Sequence, residues 1–194
     1  MTRARRRHNV RANAKVLDEF TRREIKEYPL KGIKVYELKI LPDERGFFAE
    51  VLRQDWKELI EDEWIRQVNV SYSYPNIIRA WHRRLKRQTD YFLVLRGAMK
   101  ICAYEEETGK MAEIIACAEK PSVVRIPGHY WHGTKTISNE PSLTVYFVTR
   151  LYDYENPDEL RRPWNDPNII PTEINDPKRR PESRQTMGLA PPTA

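Results

Sequence analysis

Short apolar stretches separated by turn residues run through the middle of the chain. They are Ile33–Ile40, Gln67–Ser73, Tyr91–Arg96, Met99–Tyr104, Glu113–Cys117, Val123–Ile126 and Leu143–Thr149. β-Branched and aromatic residues are common in them and suit a pleated, half-buried surface, so each predicts a strand. Alternation is clearest in Leu143–Thr149, which presents Leu143, Val145 and Phe147 to one face and Tyr146 to the other. Gly97 and the stretch Glu107-Thr108-Gly109-Lys110 punctuate hairpins. The spacing of Trp56, Leu59, Ile60 and Glu63 predicts a helix over Gln54–Trp64 with Asp55 as its N-cap, and residues 14–27 predict a second, weaker one. Many short strands with one or two short helices and extended terminal arms predict an all-β sandwich or barrel.

Length sets the organisation. One hundred and ninety-four residues suit one domain, 18–170, carrying a basic N-terminal arm, 1–17, and a Pro-rich tail, 171–194, both expected to be disordered. Arg3, Arg5, Arg6, Arg7, Arg11 and Lys15 fall in the first 17 residues with no acid, so the net +6 belongs to the arm and the rest is neutral. Nucleic acid is therefore not expected as a partner of the domain. No apolar run approaches the roughly 18 residues a membrane span needs, and no apolar segment follows the basic start. Cys102 and Cys117 match no metal-ligand or redox spacing, which predicts a reduced, cytoplasmic protein without disulfides.

Histidine is scarce, and three of the four copies, His82, His129 and His132, fall in strand-rich segments. A β scaffold that brings His82, His132 and Tyr146 to one cavity would hold acid–base groups, where a hydrogen-bonded core role is the alternative for any single histidine. Metal sites on such barrels use a His-x-His pair with a carboxylate. Here His82 is followed by Arg83-Arg84, and the 83–87 cluster repels a divalent cation, so neither metal nor cofactor is expected. Arg45, Arg79 and that cluster suit an anionic ligand such as a diphosphate.

Six blocks follow in order: Asp43-Glu44-Arg45-Gly46-Phe47-Phe48-Ala49-Glu50; Gln67-Val68-Asn69-Val70-Ser71-Tyr72-Ser73; Ile78-Arg79-Ala80-Trp81-His82; Ile126-Pro127-Gly128 leading to His132-Gly133; Tyr146 through Thr149 to Tyr152; and Trp164-Asn165-Asp166-Pro167. From about Leu30 to Pro167 the chain thereby resembles the dTDP-4-dehydrorhamnose 3,5-epimerases, cupin-type jelly rolls that act on nucleotide-diphospho-4-keto-6-deoxysugars. The resemblance implies an isomerase of dTDP-rhamnose and polysaccharide biosynthesis that inverts C3, C5 or both through an enolate. It implies His82 as base and Tyr146 as acid. It further implies Arg79 on the diphosphate, with Arg45, Glu50, Gln67 and Asn69 holding nucleotide and phosphates. Tyr152 would stack on the nucleobase and His132 would touch the sugar. Family members are dimers with shared sites, so a homodimer is expected.

Three departures bear on the chemistry. Asp90 stands where the family keeps a lysine beside the sugar carbonyl, and an anion there opposes an enolate, with Lys86 or Arg83 as candidate replacements. Trp81 adds bulk beside the base, which would narrow the sugar pocket or admit a different sugar. The family's carboxylate partner for the base is unassigned, with Asp176 the candidate. These changes leave two alternatives open: a nucleotide-sugar-binding cupin without epimerase activity, or a sugar isomerase on the same fold.

Overall fold

A computed structural model describes residues 25–172, over which thirteen strands and one short helix follow in order. They are β1 (Ile25–Glu27), β2 (Lys34–Glu37), β3 (Leu41–Asp43), β4 (Gly46–Phe48), α1 (Lys57–Ile60), β5 (Gln67–Ser73), β6 (Ile78–Arg84) and β7 (Thr89–Arg96). There follow β8 (Ala98–Glu105), β9 (Lys110–Cys117), β10 (Ser122–Pro127), β11 (Trp131–Thr136), β12 (Ser142–Val148) and β13 (Glu159–Arg161). Six strands pair in the order β1-β2-β10-β7-β12-β5, five in the order β13-β6-β11-β8-β9, and β3 and β4 form a separate hairpin. Every pairing is antiparallel. The all-β sandwich predicted from the apolar pattern is the fold adopted.

The two large sheets face each other across one apolar layer. Val35, Phe92, Val94, Val124 and Ile126 from the six-stranded sheet meet Met99, Ile101, Ala103, Ala112, Ile114 and Ala116 from the five-stranded one. Tyr91 and Val123 point the other way, onto a second cluster formed with Tyr36, Trp56, Leu59 and Ile60. β7 and β10 are thus buried on both faces, which is why they read as nearly continuous apolar runs instead of alternating. Alternation in β12 holds as expected: Tyr146 packs on the inner layer and Phe147 on the outer cluster.

The helices differ from expectation. α1 spans only four residues, because Glu61 adopts a positive φ of 59° and ends it. Trp56 occupies the N-cap without a side-chain capping bond, and Asp55 is turned to Arg53. The helical spacing of Trp56, Leu59 and Ile60 reflects one buried turn. Residues 25–27 of the second expected helix are strand β1, which pairs with β2, and the remainder lies outside the described residues. So do the arm 1–17, Asp176 and the tail beyond Thr172. Among the described residues no helix is long and apolar enough to cross a membrane.

A cavity between the sheets as the candidate active site

At one end of the sandwich the apolar layer gives way to a cavity of about 450 Å³. Its two walls belong to different sheets. Tyr146 on β12 and Asp90 and Phe92 on β7 line it from the six-stranded sheet, and His82 and Arg84 on β6, His132 on β11 and Glu159 on β13 line it from the five-stranded sheet. His82 and Arg84 share a face because strand side chains repeat every two residues. Arg79 is three residues from His82 and by simple alternation would face away. The β6–β11 register, His132↔His82 but Thr134↔Arg79, contains a bulge that returns Arg79 to the cavity side.

Two histidine–carboxylate pairs sit on the five-stranded wall. His82 Nδ1 lies 3.0 Å from Glu159 Oε1, which draws the ring proton to Nδ1 and leaves Nε2 as the acceptor. Glu159 also takes Arg84 Nη1 at 2.6 Å and Arg161 Nε at 2.5 Å. The bond to His82, followed by the charge of Arg84, holds its carboxyl at about 2 despite burial. His132 Nε2 lies 3.2 Å from Asp90 Oδ2 and its Nδ1 faces the Tyr130 carbonyl at 3.3 Å. Asp90 also accepts from Gln88 Nε2 at 2.6 Å. The two imidazole rings are 6.1 Å apart.

Tyr146 stacks on Phe92 with ring centroids 5.8 Å apart. Burial, then the charge of Asp90, raises its pKa, and Arg84 and Arg79 pull the other way. The hydroxyl therefore keeps its proton at neutral pH and is able to act as an acid.

Several expected residues gather beside this cavity. Asn69 lies opposite Tyr146 in the β5–β12 register, and Gln67 donates to Asn69 at 2.8 Å and accepts from the Tyr152 backbone at 2.9 Å. Arg79 Nε donates to Ser73 Oγ at 2.9 Å. Others do not join them. Arg45 pairs with Asp43 in the exposed β3–β4 hairpin, Glu50 pairs with Arg53, and neither lines the cavity. Lys86 and Arg83, the candidate replacements for a lysine, are also elsewhere: Lys86 reaches the Asn156 carbonyl, and Arg83 meets Glu106 on the outer face. Trp81 does not narrow the cavity, because it packs on the outer face with Cys102, Trp131 and Ile169.

Glu159 was not singled out from the sequence, and Arg84 entered only as part of the basic 83–87 cluster, with no role of its own. Arg84 was available from its two-residue spacing to His82. Glu159 lies 77 positions from His82 in a three-residue strand, and no local pattern links them. A larger hollow of about 660 Å³ surrounds Arg125 and His129 at another part of the domain. Its buried arginine is already matched by Glu61, Glu63, Tyr91 and the Gly32 carbonyl, so it reads as a structural ion network. Among the described residues no group of three or more His, Cys, Asp or Glu is placed to hold a metal ion.

The family model described as dTDP-4-dehydrorhamnose 3,5-epimerase matches residues 27–175. The chain belongs to the dTDP-4-dehydrorhamnose 3,5-epimerase family. It is 38% identical to the "Probable low-salt glycan biosynthesis epimerase" of Haloferax volcanii over 144 residues, covering 70% of this chain and 89% of that one. It is 32% identical to the spore coat polysaccharide biosynthesis protein SpsL of Bacillus subtilis, covering 72% and 93%. Among solved structures, dTDP-6-deoxy-D-glucose-3,5-epimerase RmlC from Legionella pneumophila, in complex with dTDP-4-keto-L-rhamnose, superposes with a TM-score of 0.68 at 26% identity, covering 76% of this chain and 81% of that one. Family membership gives the class of activity, a sugar epimerase or isomerase of deoxysugar biosynthesis.

Proposed function

We propose that the protein inverts C3, C5 or both of a nucleotide-diphospho-4-keto-6-deoxysugar by proton transfer within the 450 Å³ cavity. The observation that carries this reading is that His82 and Tyr146 project into one cavity from opposing sheets. Inversion needs a base on one face of the sugar and an acid on the other. His82 Nε2, with its ring held by Glu159, takes the proton from the carbon beside the ketone. The electron pair moves onto the carbonyl oxygen as an enolate, and the Tyr146 hydroxyl returns a proton to the opposite face. Solvent restores the tyrosine proton and accepts the one held by His82, which closes the balance.

Arg79 in this reading meets the diphosphate, Gln67 and Asn69 hold the nucleotide end, Tyr152 stacks on the nucleobase and His132 borders the sugar. Arg45 and Glu50 reach the cavity of a partner subunit. The outer face of edge strand β5 supports that homodimer, since Val68 and Val70 are 56% and 66% exposed there and Tyr72 continues the row. Both cysteines are free, which suits a cytoplasmic setting. A binding protein without activity would draw support from Asp90 as an uncompensated anion, but Asp90 is matched by His132 and Gln88.

The test is incubation with dTDP-4-keto-6-deoxyglucose in D2O, read by mass spectrometry and proton NMR. One or two deuterons enter at C3 and C5, and His82→Ala abolishes their entry while dTDP still binds. No uptake by the wild type, or full uptake by His82→Ala, would refute the assignment.

A further inference from the structure

Removing a proton from a carbon beside a ketone places negative charge on the ketone oxygen, and the cavity already holds the carboxylates of Asp90 and Glu159. A cation with free donors is needed next to the base. Three arginines and no lysine line the cavity. Arg79 donates to Ser73 and to the Tyr72 carbonyl near the end of β5. The Arg161 side chain is 74% exposed and meets Glu159. Arg84 is different. Its side chain is 12% exposed, Nη1 bonds Glu159, Nη2 stops 3.9 Å from Asp90, beyond hydrogen-bond reach, and Nε is buried with no partner. Nε is sealed from solvent and cannot meet a ligand, so the donor left for an acceptor that arrives with the substrate is Nη2, held in the cavity lining without a hydrogen bond to Asp90.

Its neighbours hold Arg84 in place before any substrate binds. The strand spacing sets it on the same face as His82, within about 7 Å along the backbone. Gly128 presses against its stem, where a Cβ would stand 2.8 Å from Arg84 Cβ. Its backbone N–H donates to the Gly128 carbonyl at 2.7 Å.

We propose that Arg84 is a catalytic residue that hydrogen-bonds the sugar carbonyl oxygen and carries the enolate charge beside His82. This rests on the epimerase reading and adds to it the group that stabilises the intermediate. Asp90 is engaged by His132 and Gln88 and leaves Arg84 to face the substrate.

Two readouts test it with dTDP-4-keto-6-deoxyglucose as probe. In Arg84→Gln, kcat for deuterium uptake falls about 100–1000-fold, as for loss of one oxyanion donor, and the dTDP dissociation constant changes by less than about twofold. Arg84→Lys recovers part of the rate. The pH profile of the residual activity keeps its wild-type midpoints, whereas a loss transmitted through Glu159 to His82 would move them. In the second readout, isotope-edited infrared spectra are taken of the substrate bound to His82→Asn, which cannot turn it over. The C4 carbonyl band lies below its position in solution, and adding Arg84→Gln returns it upward. An Arg84→Gln enzyme with wild-type kcat, or a carbonyl band indifferent to Arg84, overturns the proposal. If the wild type exchanges no deuterium, the epimerase reading fails on its own, and the carbonyl band still decides whether Arg84 touches the ketone.

Discussion

Replacing Glu159 with glutamine keeps the size of the side chain and removes its charge, which isolates what the carboxylate does. Glu159 joins His82, Arg84 and Arg161 and is 11% exposed. Its carboxyl is held at about 2, below the ordinary 4.5. A depressed acid stabilises the fold above its unfolded value, and that contribution is lost as pH falls from about 4.5 through about 2. The full difference corresponds to about 3 kcal/mol at ~1.4 kcal/mol for each tenfold in affinity for the proton. Arg161 is largely in solvent and His82 partly so, and screening there reduces the figure to about 2 kcal/mol. At pH 7 the variant should therefore melt about 4–8 °C lower in a domain of this size. The gap should close as the pH is lowered towards 2, because the wild type then loses the same charge. Deuterium uptake should fall about 100-fold or more, since His82 no longer has an anion to fix its ring, and dTDP affinity should stay near wild type. Calorimetry from pH 7 to pH 2 and single-turnover exchange measure both. A melting difference that does not change with pH, or wild-type turnover, would refute the ion-pair argument.

Gly128→Ala places a Cβ 1.9 Å from the Gln88 backbone oxygen, which has no rotamer to escape by, and 2.8 Å from Arg84 Cβ. Thermal melting should register a loss of about 3 kcal/mol or more together with reduced exchange, and an unchanged melting temperature would show that the loop yields. Val70→Arg puts charges on the exposed row of β5 at the sheet edge. Sedimentation should find the wild type at roughly twice 23.1 kDa and the variant near the single-chain mass, with weaker dTDP binding, as the proposed sharing of Arg45 and Glu50 between subunits requires. A wild type that sediments as one chain would remove the dimer from the mechanism.

Much of this fold was legible in the chain because strand patterning is local. Apolar runs such as Tyr91–Val94 and Val123–Ile126 marked strands, which the fold buries on both faces and not one, and the alternation of Leu143–Thr149 correctly set Tyr146 and Phe147 on opposite faces. The direction of Trp81 was misjudged, although strand alternation turns a neighbour of His82 to the opposite face. The helical spacing at Trp56, Leu59 and Ile60 signalled burial correctly but not length, because the backbone turn at Glu61 is set partly by its pairing with Lys34 and Arg125. What the sequence by itself determined, then, was the all-β class, the position of most strands and the presence of a histidine and a tyrosine on them. The tertiary structure alone decided which groups act together. A bulge moved Arg79 to the side of His82, a three-residue strand 77 positions away supplied Glu159, and Asp90 became the partner of His132. Alternation is a property of neighbouring residues, whereas charge pairing across two sheets depends on register and strand order, which no stretch of this chain encodes locally.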